Sequence, residues 1–143
     1  MMISTRGRYA LRVMIDLAEH IDEGYIPLQT IAKRQGISEK YLESILAVLS
    51  KAGLLDAVRG KGGGYRLTRE PDQYTVGEIL TLTEGSLAPV SCLAQGAAPC
   101  RRMSSCRTYD MWKGLDDLIE DYFGKITLAD LAAPDEAGND YVI

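Results

Sequence analysis

The sequence predicts a mainly α-helical fold with one small β-hairpin. Two observations lead to this prediction: apolar residues recur at helical spacing in several separate stretches, and only two short runs, over residues 54–59 and 65–68, have the character of strands. With 46% apolar and 25% charged residues, the 143-residue chain has the balance of a globular protein. It contains no run of 18 or more apolar residues, so no membrane span is predicted.

The first half of the chain is predicted to contain three helices. The first covers about residues 5–19. The second covers about residues 28–35, and Gly36 then breaks the helix. Ser38 is a good N-cap for the third helix, which extends to about Lys51. The apolar residues at helical spacing in the first and third helices are Leu11, Met14, Ile15, Ala18, Leu42, Ile45, Leu46 and Leu49.

The second half is predicted to contain three more helices and a long loop. The fourth helix begins at Thr75, where Glu78 three residues later completes a capping-box pattern. Residues 85–107 have the glycine, proline and serine content of a loop. A long helix follows over about residues 109–123, and a last short helix begins at Thr127. The long helix has an apolar stripe formed by Met111, Leu115, Leu118, Ile119 and Tyr122.

Residues 28–47 fit a helix-turn-helix. Ala32 is small where the two helices must cross closely, and Gly36 allows the positive φ angle that the turn requires. The second helix of this motif enters the major groove of DNA by its N-terminal end, so its exposed early residues are candidate contacts. These candidates are Ser38, Lys40, Tyr41 and Glu43, of which Glu43 is expected to accept from cytosine and to repel phosphate. An αα-hairpin in an ordinary helical domain is the alternative.

The predicted hairpin has a thin, basic tip, Arg59-Gly60-Lys61-Gly62-Gly63-Gly64. Such a tip can act as a wing that follows the DNA backbone or enters the minor groove, where arginine is favoured. Four glycines exceed what a purely structural turn needs, which also favours a wing. Nucleotide-binding glycine loops precede a helix, whereas Tyr65 begins a strand. The sequence therefore predicts a winged helix-turn-helix, with Arg59 and Lys61 as further DNA contacts.

All three cysteines, Cys92, Cys100 and Cys106, lie within 15 residues of the predicted loop. Thiolates are soft ligands that suit zinc or iron–sulfur clusters, but the close cysteine pairs typical of zinc sites are absent. Three thiolates can hold a cluster and leave one iron position to another ligand. Arg101 and Arg102 would offset the charge of a cluster and would equally activate a metal-free thiol. A cluster is favoured, and a thiol switch and incidental cysteines are the alternatives.

The formal net charge of −4 conceals an asymmetry. Residues 1–72 carry 11 basic and 9 acidic residues, whereas residues 73–143 carry 5 and 11. The front half is therefore +2 and the back half −6, so the total charge does not exclude a DNA-binding surface. The N-terminus lacks the cleavage site of a secretory signal, which indicates a cytoplasmic protein. No Ser/His/Asp set is present, and no enzymatic activity is predicted.

Motifs along most of the chain combine into one family pattern. They are residues 4–10, residues 36–38 with 41–43, residues 58–65, residues 76–79, the three cysteines, Trp112 and residues 126–128. In this combination the chain, from Met1 to about Ala133, resembles the Rrf2 family of winged helix-turn-helix transcription regulators, with its IscR, NsrR and CymR types. The resemblance implies an iron–sulfur cluster at the three cysteines and Arg59 in the minor groove.

The resemblance also implies a homodimer with the long C-terminal helix at its interface. Two-fold symmetry then requires a pseudo-palindromic operator in double-stranded DNA. Tyr109 stands where the IscR type has a histidine ligand, and Arg8 stands where the NsrR type has an acidic one. The cluster is therefore 2Fe–2S or 4Fe–4S, with the choice left open.

Four segments are predicted. Residues 1–84 form a winged helix-turn-helix DNA-binding domain, and residues 85–107 form a cluster-binding cysteine loop. Residues 108–133 form a dimerisation helix and a short terminal helix, and residues 134–143 form a flexible tail. The predicted function is a transcription regulator whose operator affinity is controlled by the cluster, in response to iron–sulfur status, redox conditions or nitric oxide. The rivals are a metal-free thiol-switch regulator of cysteine or sulfur metabolism, controlled by a partner protein, and a small iron–sulfur carrier protein.

Overall fold

The structure of the protein, a computed structural model, describes residues 2–133. Its main elements are α1 (Thr5–Glu19), α2 (Leu28–Gln35), α3 (Glu39–Lys51), β1 (Leu55–Val58), β2 (Gly64–Leu67), α4 (Val76–Glu84), α5 (Tyr109–Lys125) and α6 (Leu128–Leu131). The predicted mainly helical fold with one hairpin is confirmed. None of the described helices is long and apolar enough to cross a membrane. The tail predicted over residues 134–143 lies outside the described residues.

The turn between α2 and α3 is determined by two cap residues, Gly36 and Ser38. Gly36 ends α2 with a φ angle of +65°, and its backbone N–H donates to the Ala32 carbonyl oxygen. Ser38 is extended, and its hydroxyl oxygen accepts a hydrogen bond of 3.2 Å from the backbone N–H of Tyr41. Both groups satisfy backbone atoms that a helix end leaves unpaired. The boundaries of both helices follow from this local chemistry.

One core holds the helix-turn-helix, α1, the hairpin and α6 together. The apolar faces of α1, α2 and α3 meet in it, and Ile31, Leu42 and Ile45 are fully buried. Burial of one such side chain contributes about 1.5–3 kcal/mol. Leu128 of α6 is also fully buried here, although α6 follows α5 in the chain. The short last helix therefore packs with α1 rather than with α5 alone.

A buried ion pair fixes α2 on α1. Asp16 of α1 is only 2% exposed, and its carboxylate accepts two hydrogen bonds from the Arg34 guanidinium, of 2.6 and 3.1 Å. The side-chain amide of Gln35 donates a third, of 2.8 Å. These donors belong to the last turn of α2, directly before the turn at Gly36. A buried carboxylate is stable only when it is paired in this way, so the pair fixes where α2 ends and α3 begins.

The hairpin is antiparallel and lies against the segment before α2. Leu55 is opposite Leu67, and Val58 is opposite Gly64. Tyr65 exchanges two backbone hydrogen bonds of 2.9 Å with Ile26, which adds a one-residue third strand. The hairpin is thereby tied to the helix-turn-helix beside it.

Tyr74, for which the sequence predicts no role, joins the two strands at the end of the hairpin. Tyr74 is fully buried, and its hydroxyl donates to the Leu54 carbonyl oxygen at 2.8 Å. The Tyr74 hydroxyl oxygen in turn accepts from the backbone N–H groups of Thr68 and Arg69, at 2.8 and 3.1 Å. One buried hydroxyl therefore satisfies three backbone groups where both strands leave the sheet.

The capping box predicted at α4 is incomplete. The Thr75 hydroxyl accepts from the Glu78 backbone N–H at 3.0 Å, as predicted. The Glu78 carboxylate pairs with the Arg69 guanidinium, at 2.9 and 3.1 Å, instead of returning to the Thr75 backbone. A complete box is present at the start of α6, between Thr127 and Asp130. Glu78 pairs with Arg69 because a hydrogen bond between two charged groups is stronger than one to the neutral Thr75 backbone N–H.

The apolar stripe of α5 divides between two directions. Ile119 packs against a second apolar cluster, formed by Val76, Leu80 and Leu87. The prediction that Ile119 shares one apolar stripe with the other four residues was therefore wrong. The other four predicted members are exposed, with 57% of Met111, 40% of Leu115, 67% of Leu118 and 64% of Tyr122 accessible. We call these four residues the exposed α5 face. Part of α5 therefore packs on its own chain, and part of it has no apolar cover within residues 2–133.

Candidate DNA-binding surface and cysteine segment

The predicted contacts on α3 lie together at its N-terminal end. Lys40 and Glu43 are exposed, and neither forms a salt bridge within the described part of the chain. Tyr41 is half-buried, with its ring edge-on to Tyr9 of α1 at a centroid distance of 5.9 Å. The Ser38 hydroxyl is occupied as the N-cap. Lys40 and Glu43 are thus the freest of these side chains to meet DNA, and Ser38 also has a structural role.

The hairpin tip carries the two predicted basic contacts. Arg59 and Lys61 are both exposed, and neither forms a salt bridge within residues 2–133. By contrast, Arg66 in β2 pairs with Asp56 at 3.5 Å and stacks on the Tyr25 ring at 4.4 Å. The charge at the tip is therefore available to a polyanion, whereas the charge at the base of the hairpin is already compensated.

Two glycines of the hairpin tip have a structural role that was not predicted from the sequence. A Cβ atom on Gly63 would lie 2.2 Å from the Val58 carbonyl oxygen, and one on Gly64 would lie 2.3 Å from that of Ile26. Real Cβ atoms do not approach backbone this closely, so both positions require glycine for packing alone. The inference that four glycines exceed a structural need was wrong for these two residues. The case for a wing rests instead on the free charges of Arg59 and Lys61.

A further basic residue, not singled out from the sequence, lies beside α3. Arg6 of α1 is half-buried, and its guanidinium donates to the Ser44 carbonyl oxygen at 3.4 Å. Its charge is therefore held against the middle of α3. No local sequence signal could identify it, because the approach of α1 to α3 depends on tertiary packing.

Residues 85–107, which we call the cysteine segment, are anchored at their N-terminal end. Glu84 is the last residue of α4, and its carboxylate accepts from the backbone N–H of Ser4 at 2.9 Å and from the Ser4 hydroxyl at 2.5 Å. Ser4 is the N-cap of α1. The residue that directly precedes the cysteine segment is thus fixed to the first turn of α1. The start of the segment is therefore tied to the body of the winged domain.

The three cysteines are free and accessible to different extents. Cys92 is half-buried, and Cys100 and Cys106 are exposed. Cys106 lies 3.5 Å from the Thr108 hydroxyl, and hydrogen bonding by that hydroxyl and by the backbone lowers the pKa of the Cys106 thiol below its ordinary value. Within residues 2–133, no three histidine, cysteine or carboxylate side chains are gathered as they would be around a metal ion.

The donor set of the segment suits an iron–sulfur cluster in its chemistry. Three thiols are the ligands that iron in such clusters prefers. They lie on a stretch whose only regular structure is two single-turn helices, over residues 91–93 and 103–105. Closing such a stretch around a common ligand would disturb at most these single turns, because no residue of 92–106 belongs to either apolar cluster. The residues therefore fit a cluster that draws the three thiols together when it binds.

Comparison with known proteins gives the family of the chain. The model of the Rrf2 family, described as an iron-dependent transcriptional regulator, matches residues 3–134. The chain belongs to the Rrf2 family. This Rrf2 protein is accordingly a DNA-binding transcription regulator with a winged helix-turn-helix, and it is not an enzyme.

Relatives of two named types resemble this Rrf2 protein. The HTH-type transcriptional regulator IscR of Aliivibrio salmonicida is 39% identical over 136 residues, which is 95% of this chain and 80% of the relative. The structure of T. potens IscR is 42% identical, with a TM-score of 0.72, and 92% of this chain and 85% of that one are covered. The structure of CymR, the global cysteine regulator of B. subtilis, is 39% identical, with a TM-score of 0.74 and coverage of 92% and 96%.

Proposed function

We propose that this Rrf2 protein is a cytoplasmic homodimer whose affinity for a pseudo-palindromic operator is controlled by an iron–sulfur cluster at Cys92, Cys100 and Cys106. The observation that carries the proposal is the place of the cysteines, on the one segment that joins α4 to α5. The relatives named IscR support it. In this proposal residues 1–84 read DNA, residues 85–107 hold the cluster, and residues 108–133 contain the dimer helix.

The control would act through the connections of the segment. Glu84 ties its beginning to the N-terminus of α1, and α5 follows its end. When bound, a cluster of either the 2Fe–2S or the 4Fe–4S type supplies iron–thiolate bonds that order residues 92–106. Ordering this stretch would fix the N-terminal end of α5, whose later residues Ile119 and Phe123 already pack against α4. In a dimer joined through α5, the spacing of the two α3 helices would change with it.

In the DNA complex, we place the N-terminal end of α3 in the major groove and the hairpin tip in the minor groove. The contacts come from Ser38, Lys40, Tyr41 and Glu43 on α3 and from Arg59 and Lys61 on the tip. Glu43 would discriminate between sequences, because a carboxylate accepts from cytosine and is repelled by phosphate. Arg6 adds positive charge on the side of α3 that faces α1.

The wing is tested with Arg59→Ala. This variant should bind the duplex that the parent protein selects from random DNA roughly 5- to 150-fold more weakly, because it loses an arginine contact. The salt dependence should also become less steep, by about one unit of log K per log unit of salt, since the cation at the tip no longer displaces a counterion from the DNA. Fluorescence anisotropy at several salt concentrations measures both quantities.

The matched control is Arg66→Ala, which removes the same charge from the base of the same hairpin. Arg66 is already paired with Asp56 and stacked on Tyr25, so the affinity and the salt slope should remain close to the parent values. Equal binding by Arg59→Ala and the parent, or equal losses in both variants, would contradict the assignment of the wing.

The dimer would form through the exposed α5 face. Met111, Leu115, Leu118 and Tyr122 are 40–67% accessible along one side of a helix of 17 residues. An apolar stripe of this length on a soluble surface marks an interface. Two copies related by a two-fold axis can cover the same stripe on each other, because the interface is then self-complementary.

Leu118→Glu tests this interface. Leu118 is the most exposed member of the face, and a charge there would occur twice in a two-fold dimer. With about 1.5–3 kcal/mol for each leucine, we expect the dimer dissociation constant to rise roughly 100-fold or more. Sedimentation velocity at micromolar concentration should show a monomer. Leu131→Glu, which changes another exposed leucine, on α6, should remain dimeric; dimers in both variants would place the interface elsewhere.

A metal-free thiol switch is the second candidate function. It is favoured by the exposure of Cys100 and Cys106 and by the similarity to CymR, of which one solved structure, from Staphylococcus aureus, is of an oxidised form. The two candidates differ in iron content. Protein purified without oxygen should be brown, with iron and sulfide in stoichiometric amounts, if a cluster is the sensor. Colourless, iron-free protein whose DNA affinity responds to thiol oxidation would establish the switch instead.

A further inference from the structure

A cavity of about 850 Å³ lies between α4, α5 and the beginning of the cysteine segment. Leu54, Leu82, Leu87, Leu93 and Phe123 provide its apolar wall. Thr81 and Ser86 add hydroxyl groups to its lining. Pockets for small molecules commonly have volumes of about 300–1,000 Å³ and combine an apolar wall with a few polar groups. The cavity therefore has the size and lining of a ligand site.

The charge of the cavity is entirely negative. Three carboxylates line it, those of Glu78, Asp116 and Glu120, and no lysine, arginine or histidine is part of the lining. The charge of Glu78 is compensated by Arg69. Asp116 and Glu120 form no salt bridge within residues 2–133, although the Lys113 ammonium, which pairs with Asp117, lies close enough to interact with both through space.

Asp116 is the residue of the lining that best indicates which kind of ligand the cavity binds. It is only 8% exposed, and within the described residues its carboxylate has neither a hydrogen-bond donor nor an ion-pair partner. Lys113, the lysine one turn before it, pairs with Asp117 instead. The side chain is largely covered but its oxygens open onto the cavity, where a cation can donate charge-assisted hydrogen bonds to them. The cavity thus presents a carboxylate without a protein partner to any positively charged molecule that enters it.

A second copy of the chain would not fill this space if the dimer forms through the exposed α5 face. At 100° per residue, Asp116 and Glu120 lie roughly 130–170° around α5 from the centre of the Met111, Leu115, Leu118 and Tyr122 stripe. Phe123 and Ile119 pack between these two sides, toward the rest of the same chain. The cavity and the stripe are therefore on different sides of the helix.

We propose that this cavity binds a small organic cation, an ammonium group on an apolar body. Asp116 accepts the charged hydrogen bonds, Glu120 one helical turn later adds to the negative potential, and the leucines and Phe123 cover the apolar body. The occupant would touch Leu93, the residue next to Cys92, and so would hold the beginning of the cysteine segment. The binding site itself does not depend on a cluster being present.

The experiment uses the full-length protein, labelled with nitrogen-15, and the probe 2-phenylethylammonium. Backbone amide shifts should change on titration at residues of the cavity wall, and the neutral 2-phenylethanol should bind at least tenfold more weakly. Asp116→Asn keeps the shape of the side chain and removes the charge. Loss of a charged hydrogen bond should weaken binding of the ammonium probe roughly 10- to 100-fold.

Two comparisons make the result specific. Asp121→Asn removes one charge from α5 outside the cavity, so its affinity for the probe should match the parent. Glu120→Gln should weaken binding less than Asp116→Asn, and it provides a second variant if the first unfolds. The proposal is overturned by equal affinity for the ammonium and the alcohol, by shifts confined to residues outside the cavity, or by no shifts at millimolar probe.

Discussion

Cys92→Ala, Cys100→Ala and Cys106→Ala are each expected to lose the iron–sulfur cluster completely while remaining folded and dimeric. The three cysteines provide all the thiolate ligands that the segment offers, so the loss of one leaves too few to retain iron. None of the three belongs to the core, and Cys100 and Cys106 are exposed, so the free energy of unfolding should change little. Anaerobic absorption spectra with iron and sulfide analysis measure the first effect, and circular dichroism with light scattering measures the second.

The same variants should change DNA binding in the direction that cluster removal changes it in the parent. A coupling free energy of roughly 1–3 kcal/mol corresponds to a change of about 5- to 150-fold in operator affinity. Ser91→Ala, next to Cys92 in the same segment, is the control and should keep both the cluster and the parent affinity. If the loaded and cluster-free parent bind every operator equally, the cluster does not control this regulator, whatever its stoichiometry.

Gly64→Ala is expected to destabilise the protein by about 3 kcal/mol or more and to abolish the wing's contribution to DNA binding. Its φ angle is +153°, and a Cβ atom would lie 2.3 Å from the Ile26 carbonyl oxygen and 2.8 Å from the Pro27 nitrogen. These are backbone atoms, so β2 must move away and lose the two hydrogen bonds between Tyr65 and Ile26. The sum of backbone strain and two hydrogen bonds gives the estimate. Urea denaturation of the parent and the variant measures it.

Gly62→Ala is the matched control, because the same exchange is made two residues away. Gly62 also has a positive φ angle, of +79°, but nothing lies within 4 Å of an added Cβ atom. We expect it to cost only the backbone strain, about 1–2 kcal/mol. Equal destabilisation by the two variants would show that close packing against Ile26 is not what requires glycine at position 64.

Several of the main elements could be predicted from the sequence alone, because their signals are local. Ser38 as N-cap, Gly36 at the end of α2 and the helical spacing of Leu42, Ile45 and Leu49 define the helix-turn-helix within twenty residues. Such signals act between residues at most four positions apart, where helix geometry already determines which side chains meet. The combination of motifs also identified the family, which the match over residues 3–134 confirms.

The candidate site could be predicted as residue types but not as an arrangement. The sequence placed Arg59 and Lys61 on a hairpin tip and three cysteines in one segment, and the structure describes both features at those places. The sequence did not predict which basic residues have unpaired charges. Arg66, for example, pairs with Asp56 only because the register of the two strands brings them together. The DNA contacts and the cluster ligands stay predictions.

The sequence by itself determined the helices, the hairpin, the family and the chemistry available to the site. Only the tertiary structure decided that Asp16 holds Arg34 and Gln35, that Ile119 faces its own chain while Leu118 does not, and that Gly64 must lack a side chain. It also brought Asp116 to the wall of a cavity. The physical reason is the same in each case: these effects depend on contacts between elements distant in the chain, and local periodicity carries no information about which elements meet.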